Sequence, residues 1–249
     1  EGGGIARNSG ASVRLINRKS GIVYLNEIIE NINPDDIHYP KTKLVALENT
    51  GNRGGGICYP IEEIEKISNY CQSEKMPLHL DGARLFNALV KTETSAYKMG
   101  SYFDSISLCF SKGLGTPVGS VLVGSKEFIH NARRVRKVLG GGMRQSGILA
   151  AAGIYALENN IQRLSTDHHH AKVLEESLAK CSWIEKVLKV ETNIVVAYLK
   201  DEYLASEFIQ KLSDCGILAI PFGKGRIRMV THLDISKIDV EKVVESLKF

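Results

Sequence analysis

The sequence has 249 residues, of which 43% are hydrophobic and 24% are charged. These fractions are typical of globular proteins and exclude a disordered chain, a fibre and a small disulfide scaffold. The formal charge of +4 is too small to indicate a partner such as nucleic acid or an anionic membrane, and no run reaches the ~18 apolar residues of a membrane span.

The chain contains an odd number of cysteines and no Cys-x-x-Cys pair. They are Cys58, Cys71, Cys109, Cys181 and Cys215. This pattern does not suggest a disulfide framework or a zinc ribbon. We therefore expect reduced thiols in a cytoplasmic protein.

The first predicted unit runs from strand to loop to helix between residues 44 and 71. The apolar run Leu44–Leu47 predicts the strand, and a glycine-rich loop spans Gly51–Gly56. Pro60 suits the first turn of the helix. The apolar stripe of this helix has helical period and consists of Ile61, Ile64, Ile67 and Cys71.

A similar alternation continues along the chain. Strands are predicted at Pro77–Leu80, Ile106–Phe110 and Val118–Val123. A helix follows the first of them, and an amphipathic helix from Ser125 to Leu139 follows the last, with Ser125 as its N-cap. Strands that alternate with helices indicate a largely parallel sheet of the α/β class.

The order of elements changes in the C-terminal part. After helices predicted at Gln145–Glu158 and Asp167–Lys180, the elements beyond Cys181 are a strand near Asn193–Leu199, a helix at Leu204–Cys215, strands at Gly216–Ile220 and Arg226–Thr231, and a last helix from Asp239. Ser165 or Thr166 is expected to cap the second helix. This α+β order predicts a large domain at residues 1–164 and a smaller domain at residues 165–249.

Two residues of opposite charge follow predicted strands of the large domain. Asp81 ends one strand, and Lys112 begins a glycine-rich loop after another. Considered alone, Asp81 would be interpreted as a turn or helix-capping residue, and Lys112 as a solvated side chain. Together they match what pyridoxal phosphate (PLP) requires, which is a lysine amine for its Schiff base and a carboxylate for its pyridine nitrogen.

Three long motifs resemble the low-specificity L-threonine aldolases, which belong to the β-eliminating lyases. The motifs are HLDGARLFNA at 79–88, SKGLGTPVGS at 111–120 and RKVLGGGMRQ at 136–145, and the match continues through ENT at 48–50 and IRMVTH at 227–232. The resemblance implies the aspartate aminotransferase fold, fold type I of the PLP enzymes. This fold has an α/β large domain with a mostly parallel sheet and a smaller C-terminal α+β domain.

The resemblance also implies the roles of individual residues. Lys112 would form the Schiff base with PLP, and Asp81 would pair with the pyridine nitrogen. Arg84 and Arg228 would hold the substrate carboxylate, Arg84 lying at the cofactor as well. His38 would position the β-hydroxyl of the substrate or relay its proton; without the resemblance it would be interpreted as a loop histidine.

A basic cluster lies on and after the helix that Ser125 begins. It comprises Arg133, Arg134, Arg136, Lys137 and Arg144. A nucleic-acid patch is disfavoured because aromatic residues are absent nearby, and a solvated face is the ordinary alternative. The resemblance implies that Lys137 and Arg144 reach the cofactor phosphate of a neighbouring subunit, in a homotetramer built as a dimer of dimers with shared active sites.

Two other patterns do not predict ligand sites. The run Asp167–His170 cannot converge on one metal ion, because consecutive helical residues point about 100° apart. Neither Gly2–Gly4 nor Gly51–Gly56 matches a P-loop or a dinucleotide-binding fingerprint, because no Gly-Lys-Ser/Thr follows either run. We therefore expect no metal and no nucleotide.

The sequence departs from the family in two places. Gly51 stands where family members usually have a histidine. The family also begins well upstream of Glu1, with the loop that binds the cofactor phosphate and the histidine that stacks on the pyridine ring. We expect the chain to be a fragment that, expressed alone, neither binds PLP stoichiometrically nor cleaves threonine.

The predicted function is PLP-dependent cleavage of L-threonine or L-allo-threonine to glycine and acetaldehyde, in threonine catabolism and glycine formation. One alternative is another β-eliminating lyase of the same fold. The other is a catalytically silent fragment that lacks the phosphate-binding segment.

Overall fold

The structure, a computed structural model, describes residues 2–201 and 204–248. Its first sheet has the strand order β1-β2-β3-β4. These strands are β1 (Val45–Glu48), β2 (Leu78–Gly82), β3 (Ser105–Cys109) and β4 (Ser120–Gly124). The first three are parallel and β4 is antiparallel to β3, because the connection between β3 and β4 contains no crossover helix. The mostly parallel sheet is confirmed.

Five helices of the described chain precede or accompany this sheet. They are α1 (Gly4–Ser9), α2 (Leu25–Glu30), α3 (Ile61–Ser73), α4 (Leu85–Thr92) and α5 (Ala96–Gly100). The predicted stripe of α3 is confirmed, since Ile64, Ile67 and Cys71 are buried against the sheet residues Leu78 and Leu80 in one hydrophobic cluster.

Three helices follow β4, namely α6 (Lys126–Val138), α7 (Gly147–Asn159) and α8 (Leu164–Leu178). Ser125 caps α6 as predicted, its Oγ accepting a hydrogen bond from the backbone N–H of Phe128 at 3.2 Å. The predicted cap of α8 is wrong, because the helix begins at Leu164 and no side chain caps it. Arg163 instead forms an ion pair with Asp167 one turn into the helix.

The second sheet has the order β5-β6-β8-β7 with antiparallel neighbours throughout. Its strands are β5 (Ile184–Val187), β6 (Ile194–Leu199), β7 (Ile220–Pro221) and β8 (Arg226–Val230), and its helices are α9 (Ala205–Asp214) and α10 (Lys237–Ser246). Strand β5 was not predicted. The strand predicted at Gly216–Ile220 is wrong except at its last residue, because Gly216, at φ +74°, ends the helical segment.

Helix α10 begins at Lys237, before the predicted start at Asp239. Ser236 and Asp239 form a capping box, in which each side chain accepts a hydrogen bond from the other residue's backbone N–H. Asp239 is therefore the third residue of the helix, where its side chain stabilises the first turn, and not the residue at which the helix begins.

Helix α8 connects the two sheets. It packs against β6 and α10 on one side and against α4 on the other. Its first residue, Leu164, belongs to a small cluster with Leu114 and Ala156, whereas Leu174 and Leu178 belong to the core of the second sheet. Within residues 2–201 and 204–248, no helix is both long enough and apolar enough to cross a membrane.

The three histidines of α8 differ in burial, and one of them should make stability depend on pH. Burial lowers the pKa of His168 to about 4, and the positive charge of Lys91 adds to the effect. The unfolded chain, with a histidine pKa of about 6.5, binds a proton between those two pH values that the folded chain does not. The free energy of unfolding should therefore fall as the pH decreases from 6.5 towards 4.

We expect His168→Gln to remove this dependence, amounting to about 1 kcal/mol at pH 5 once screening by solvent is included. Urea unfolding at pH 7.5 and pH 5 measures it. His169→Gln, at an exposed position on the same helix, should retain the dependence of the parent. Equal pH dependence in the parent and His168→Gln would contradict the assignment.

Candidate active site

The carboxyl ends of β1 and β2 place two carboxyl groups side by side. Glu48, the last residue of β1, pairs with Asp81 of β2. Asp81 is exposed, and its Oδ1 accepts a hydrogen bond from the backbone N–H of Ala83 at 3.1 Å. Burial raises the pKa of Glu48, and the Asp81 carboxylate raises it further. A hydrogen bond from the backbone of Asn52 lowers this pKa but does not outweigh the effect of burial.

Lys112 follows β3, the strand next to β2. It begins a turn in which the backbone N–H of Gly115 donates to the Lys112 carbonyl oxygen at 2.9 Å. Gly115 has a φ of +72°, a conformation that favours glycine. The Nζ of Lys112 donates a hydrogen bond to Sγ of Cys109 at 3.3 Å. An exposed primary amine thus lies one strand away from the Asp81 carboxylate.

Two arginines, one between β2 and α4 and one on the second sheet, converge on one oxygen atom. Arg84 precedes α4, and Arg228 lies on β8. The Oδ1 of Asn52 accepts hydrogen bonds from Nη1 of Arg228 at 3.0 Å and from Nη1 of Arg84 at 3.4 Å. Burial lowers the pKa of Arg84, and the like charge of Arg228 lowers it further. The Arg228 guanidinium also lies 4.7 Å from the centre of the Phe222 ring.

A cleft of about 320 Å³ opens beside these groups. Its lining includes Lys112, Gly115 and Arg84 from the first sheet's loops, together with Asn193 before β6 and His232 after β8. The two sheets therefore both contribute walls, and the cleft holds an amine and a guanidinium together.

The loop that carries Asn52 is packed tightly, which predicts a large effect of a small substitution. A Cβ at Gly54 would lie 1.9 Å from the backbone oxygen of Ser20. Because that oxygen belongs to the backbone, the loop must move, and we expect Gly54→Ala to lower the free energy of unfolding by about 2–4 kcal/mol.

Gly147→Ala is the matched control, since nothing lies within 4 Å of a Cβ at Gly147 and the residue begins α7. It should be neutral or stabilise the protein by up to about 1 kcal/mol. Urea unfolding of both variants checks this packing. Equal stability of Gly54→Ala and the parent would contradict it.

Five of the predicted site residues do not lie among the residues that line the cleft, namely His38, Asp81, Lys137, Arg144 and Arg228. The His38 side chain is 79% exposed and its Nδ1 pairs with Asp36 at 2.7 Å. Lys137 is exposed near the end of α6, and Arg144 is exposed in the segment between α6 and α7. Asp81 and Arg228 lie close enough to Arg84, which lines the cleft, for their charges to act on it, and Arg228 shares the Asn52 oxygen with Arg84.

Several residues at the site were not assigned a role from the sequence. Asn52 was interpreted only as part of a glycine-rich loop, and Glu48 only as part of a motif. Cys109 was counted among the thiols without a contact. His232, which lines the cleft, ends the motif IRMVTH. Membership of these motifs was the only signal available before the loops were placed in space.

The histidine run of α8 does not form a metal site in the structure. His168 is half-buried, His169 is exposed and His170 is buried. In the part of the chain that the structure describes, no group of three or more His, Cys, Asp or Glu side chains could hold a metal ion.

Solved structures share this architecture. The threonine aldolase of Leishmania major aligns with a TM-score of 0.83 at 22% identity, over 98% of this chain and 72% of that chain. The histidinol-phosphate aminotransferase of Clostridium acetobutylicum aligns with a TM-score of 0.62 at 17% identity, over 90% of this chain and 66% of that chain. The fold is that of the PLP-dependent enzymes of fold type I, as the sequence predicts.

Sequence comparison identifies the family. The model of the β-eliminating lyases matches residues 1–202. The low-specificity L-threonine aldolase of Escherichia coli K12 is 43% identical over 90% of this chain and 65% of its own length, and low-specificity L-threonine aldolase 1 of Arabidopsis thaliana is 42% identical over 96% and 69%. The chain spans about two thirds of the length of these relatives. It belongs to the β-eliminating lyase family.

Proposed function

We propose that the full-length protein is a PLP-dependent aldol lyase that cleaves the Cα–Cβ bond of L-threonine or L-allo-threonine, giving glycine and acetaldehyde. The observation that carries this proposal is a cleft lined by the amine of Lys112 and the guanidinium of Arg84, with the Asp81 carboxylate and the Arg228 guanidinium close enough to Arg84 for their charges to act on it. Asp81 lies near the end of β2 and Lys112 follows the neighbouring strand β3, while Arg84 before α4 and Arg228 on β8 share the Asn52 oxygen. The names of the sequence relatives support the choice of substrate.

The groups present fit the reactive part of PLP. Lys112 offers the primary amine that binds the cofactor aldehyde, and Asp81 offers an exposed carboxylate for the pyridine nitrogen. When bound, PLP supplies an electron sink for the electron pair of the broken Cα–Cβ bond. The Nε of Arg228 is buried and has no hydrogen-bond partner within residues 2–201 and 204–248. An unsatisfied guanidinium donor beside the cleft fits an anionic ligand.

The side chains of the site have separate tasks in this proposal. Arg84 and Arg228 bind the substrate carboxylate, because a guanidinium group offers two parallel donors to a carboxylate. His38 positions the β-hydroxyl and accepts its proton. Because His38 is exposed and pairs with Asp36, this role requires its loop to approach the cleft.

We also propose an oligomer with shared active sites, in which Lys137 and Arg144 of one subunit approach the cofactor phosphate of the next. Both residues are exposed, and α6 has no buried residue. Val121 of β4 and Val138 of α6 are apolar and exposed, and a subunit interface would remove such side chains from water. The absence of a disulfide among the five cysteines supports a cytoplasmic location.

The test is product analysis with the full-length protein, PLP and L-threonine. Glycine and acetaldehyde should form in equal amounts, with acetaldehyde measured by coupled reduction. Formation of ammonia and a 2-oxo acid without acetaldehyde would identify a different β-eliminating lyase. No product from L-threonine or L-allo-threonine would contradict the proposal.

A further inference from the structure

Asn52 joins the two arginines that are proposed to bind the substrate carboxylate. Arg84 comes from the first sheet's loops and Arg228 from the second sheet, so no element of secondary structure sets the distance between them. One carboxamide oxygen accepts hydrogen bonds from both, at 3.4 Å and 3.0 Å. Among the described residues, this oxygen links the two guanidinium groups by accepting a hydrogen bond from each of them.

The surroundings of Asn52 hold this oxygen in place. The loop around it is closed by hydrogen bonds from Gly51 N–H to the Ile57 carbonyl and from Gly56 N–H to the Gly51 carbonyl, both at 2.9 Å. The backbone of Asn52 donates a hydrogen bond to Glu48. The Phe222 ring lies against the Arg228 guanidinium. The loop of Asn52 and the guanidinium of Arg228 are therefore each held by contacts other than the hydrogen bond between them.

The chemistry of the acceptor matters because two like charges lie close together. An amide oxygen has two lone pairs and can accept from both guanidinium groups without carrying a charge. A carboxylate in the same place would form an ion pair with both guanidinium groups and would compete with an incoming carboxylate. A neutral acceptor keeps the arginines together and leaves their charge available to a ligand.

We propose that Asn52 is a positioning residue that holds Arg84 and Arg228 at the spacing needed to bind the carboxylate of the amino-acid substrate, and that its neutrality keeps the subsite open. This inference rests on the proposed function. It differs from a purely structural role, in which Asn52 would only tie the loop after β1 to the second sheet.

The experiment compares Asn52→Asp and Asn52→Ala in the full-length holoenzyme. Asn52→Asp should raise KM for L-threonine by about 100-fold, because its carboxylate occupies both arginines, and Asn52→Ala should raise it by about tenfold, because the spacing is lost. In both variants kcat should stay within a few-fold of the parent. Asn159→Asp, which makes the same change at an exposed position on α7, should leave both constants unchanged.

Glycine provides a second readout that does not depend on turnover. The melting temperature of the parent and of Asn159→Asp should rise with added glycine, since its carboxylate binds the same arginines. The rise should be lost in Asn52→Asp and reduced in Asn52→Ala. If Asn52→Asp does not fold, Asn52→Ala alone decides, and a KM equal to that of the parent overturns the proposal.

The possible failures are distinguishable. Equal KM changes in the two variants, or a lowered melting temperature with KM unchanged, would show a structural role and overturn the positioning role. A parent protein that neither cleaves threonine nor responds to glycine would overturn the proposed function, and the role of Asn52 with it. A parent that does both, together with an Asn52→Asp variant that behaves identically, would overturn only the role of Asn52.

Discussion

Replacing Lys112 with alanine should lower kcat for threonine cleavage by about 10⁴-fold or more, because among the described residues that line the cleft only Lys112 offers an amine to the cofactor aldehyde. Lys112 is the lysine among the residues that line the described cleft. The variant should also lose the visible absorbance of the bound cofactor. Rates of acetaldehyde release and absorption spectra of the full-length protein measure both effects.

Lys98→Ala is the control for this change. Lys98 is exposed on α5, so its loss should alter neither rate nor spectrum. The assignment would fail if Lys112→Ala retained the absorbance and cleaved threonine at a rate near that of the parent.

Asp81→Asn should lower kcat by about 10²–10³-fold, the loss typical of removing one preorganised electrostatic contact to developing charge. The asparagine keeps the shape of the side chain but cannot hold the proton on the pyridine nitrogen by its charge. PLP should still bind, because Lys112 and the rest of the cleft are unchanged. Steady-state kinetics and a titration with PLP separate the two effects.

Asp214→Asn, at an exposed position at the end of α9, makes the same chemical change away from the cleft. Its rate should equal that of the parent. Turnover by Asp81→Asn within a few-fold of the parent would exclude Asp81 as the partner of the pyridine nitrogen.

Features set by local sequence were predicted well. The stripe of α3 and the cap of α6 follow from spacing and from one side chain, and both are confirmed. Asp81 and Lys112 were placed at strand ends because the strands before them have a short apolar signature. In parallel strands this local position also fixes a place at one edge of the sheet.

Features set by distant contacts were not predicted. The bridge from Asn52 to Arg228 joins residues far apart in sequence. A lone asparagine in a glycine-rich loop already has an ordinary explanation as a turn residue, so its contact was not visible before the sheets were placed together.

The proposed site residues also differ in whether contacts within this chain place them at the cleft. Motif resemblance assigns roles to His38, Lys137 and Arg144, but the structure places all three outside the lining of the described cleft. Their roles depend on a loop approach and on a second subunit. They therefore remain proposals of a different kind from those for Lys112 and Arg84, which line one cleft within a single chain.

Peptide mapping after borohydride reduction tests the central claim most directly. The full-length protein, incubated with PLP and reduced, should carry a phosphopyridoxyl group on the proteolytic peptide that contains Lys112, with fragmentation placing it on that side chain. The Lys98→Ala variant should give the same modified peptide. A modification found stoichiometrically on another lysine, with Lys112 unmodified, would contradict the account.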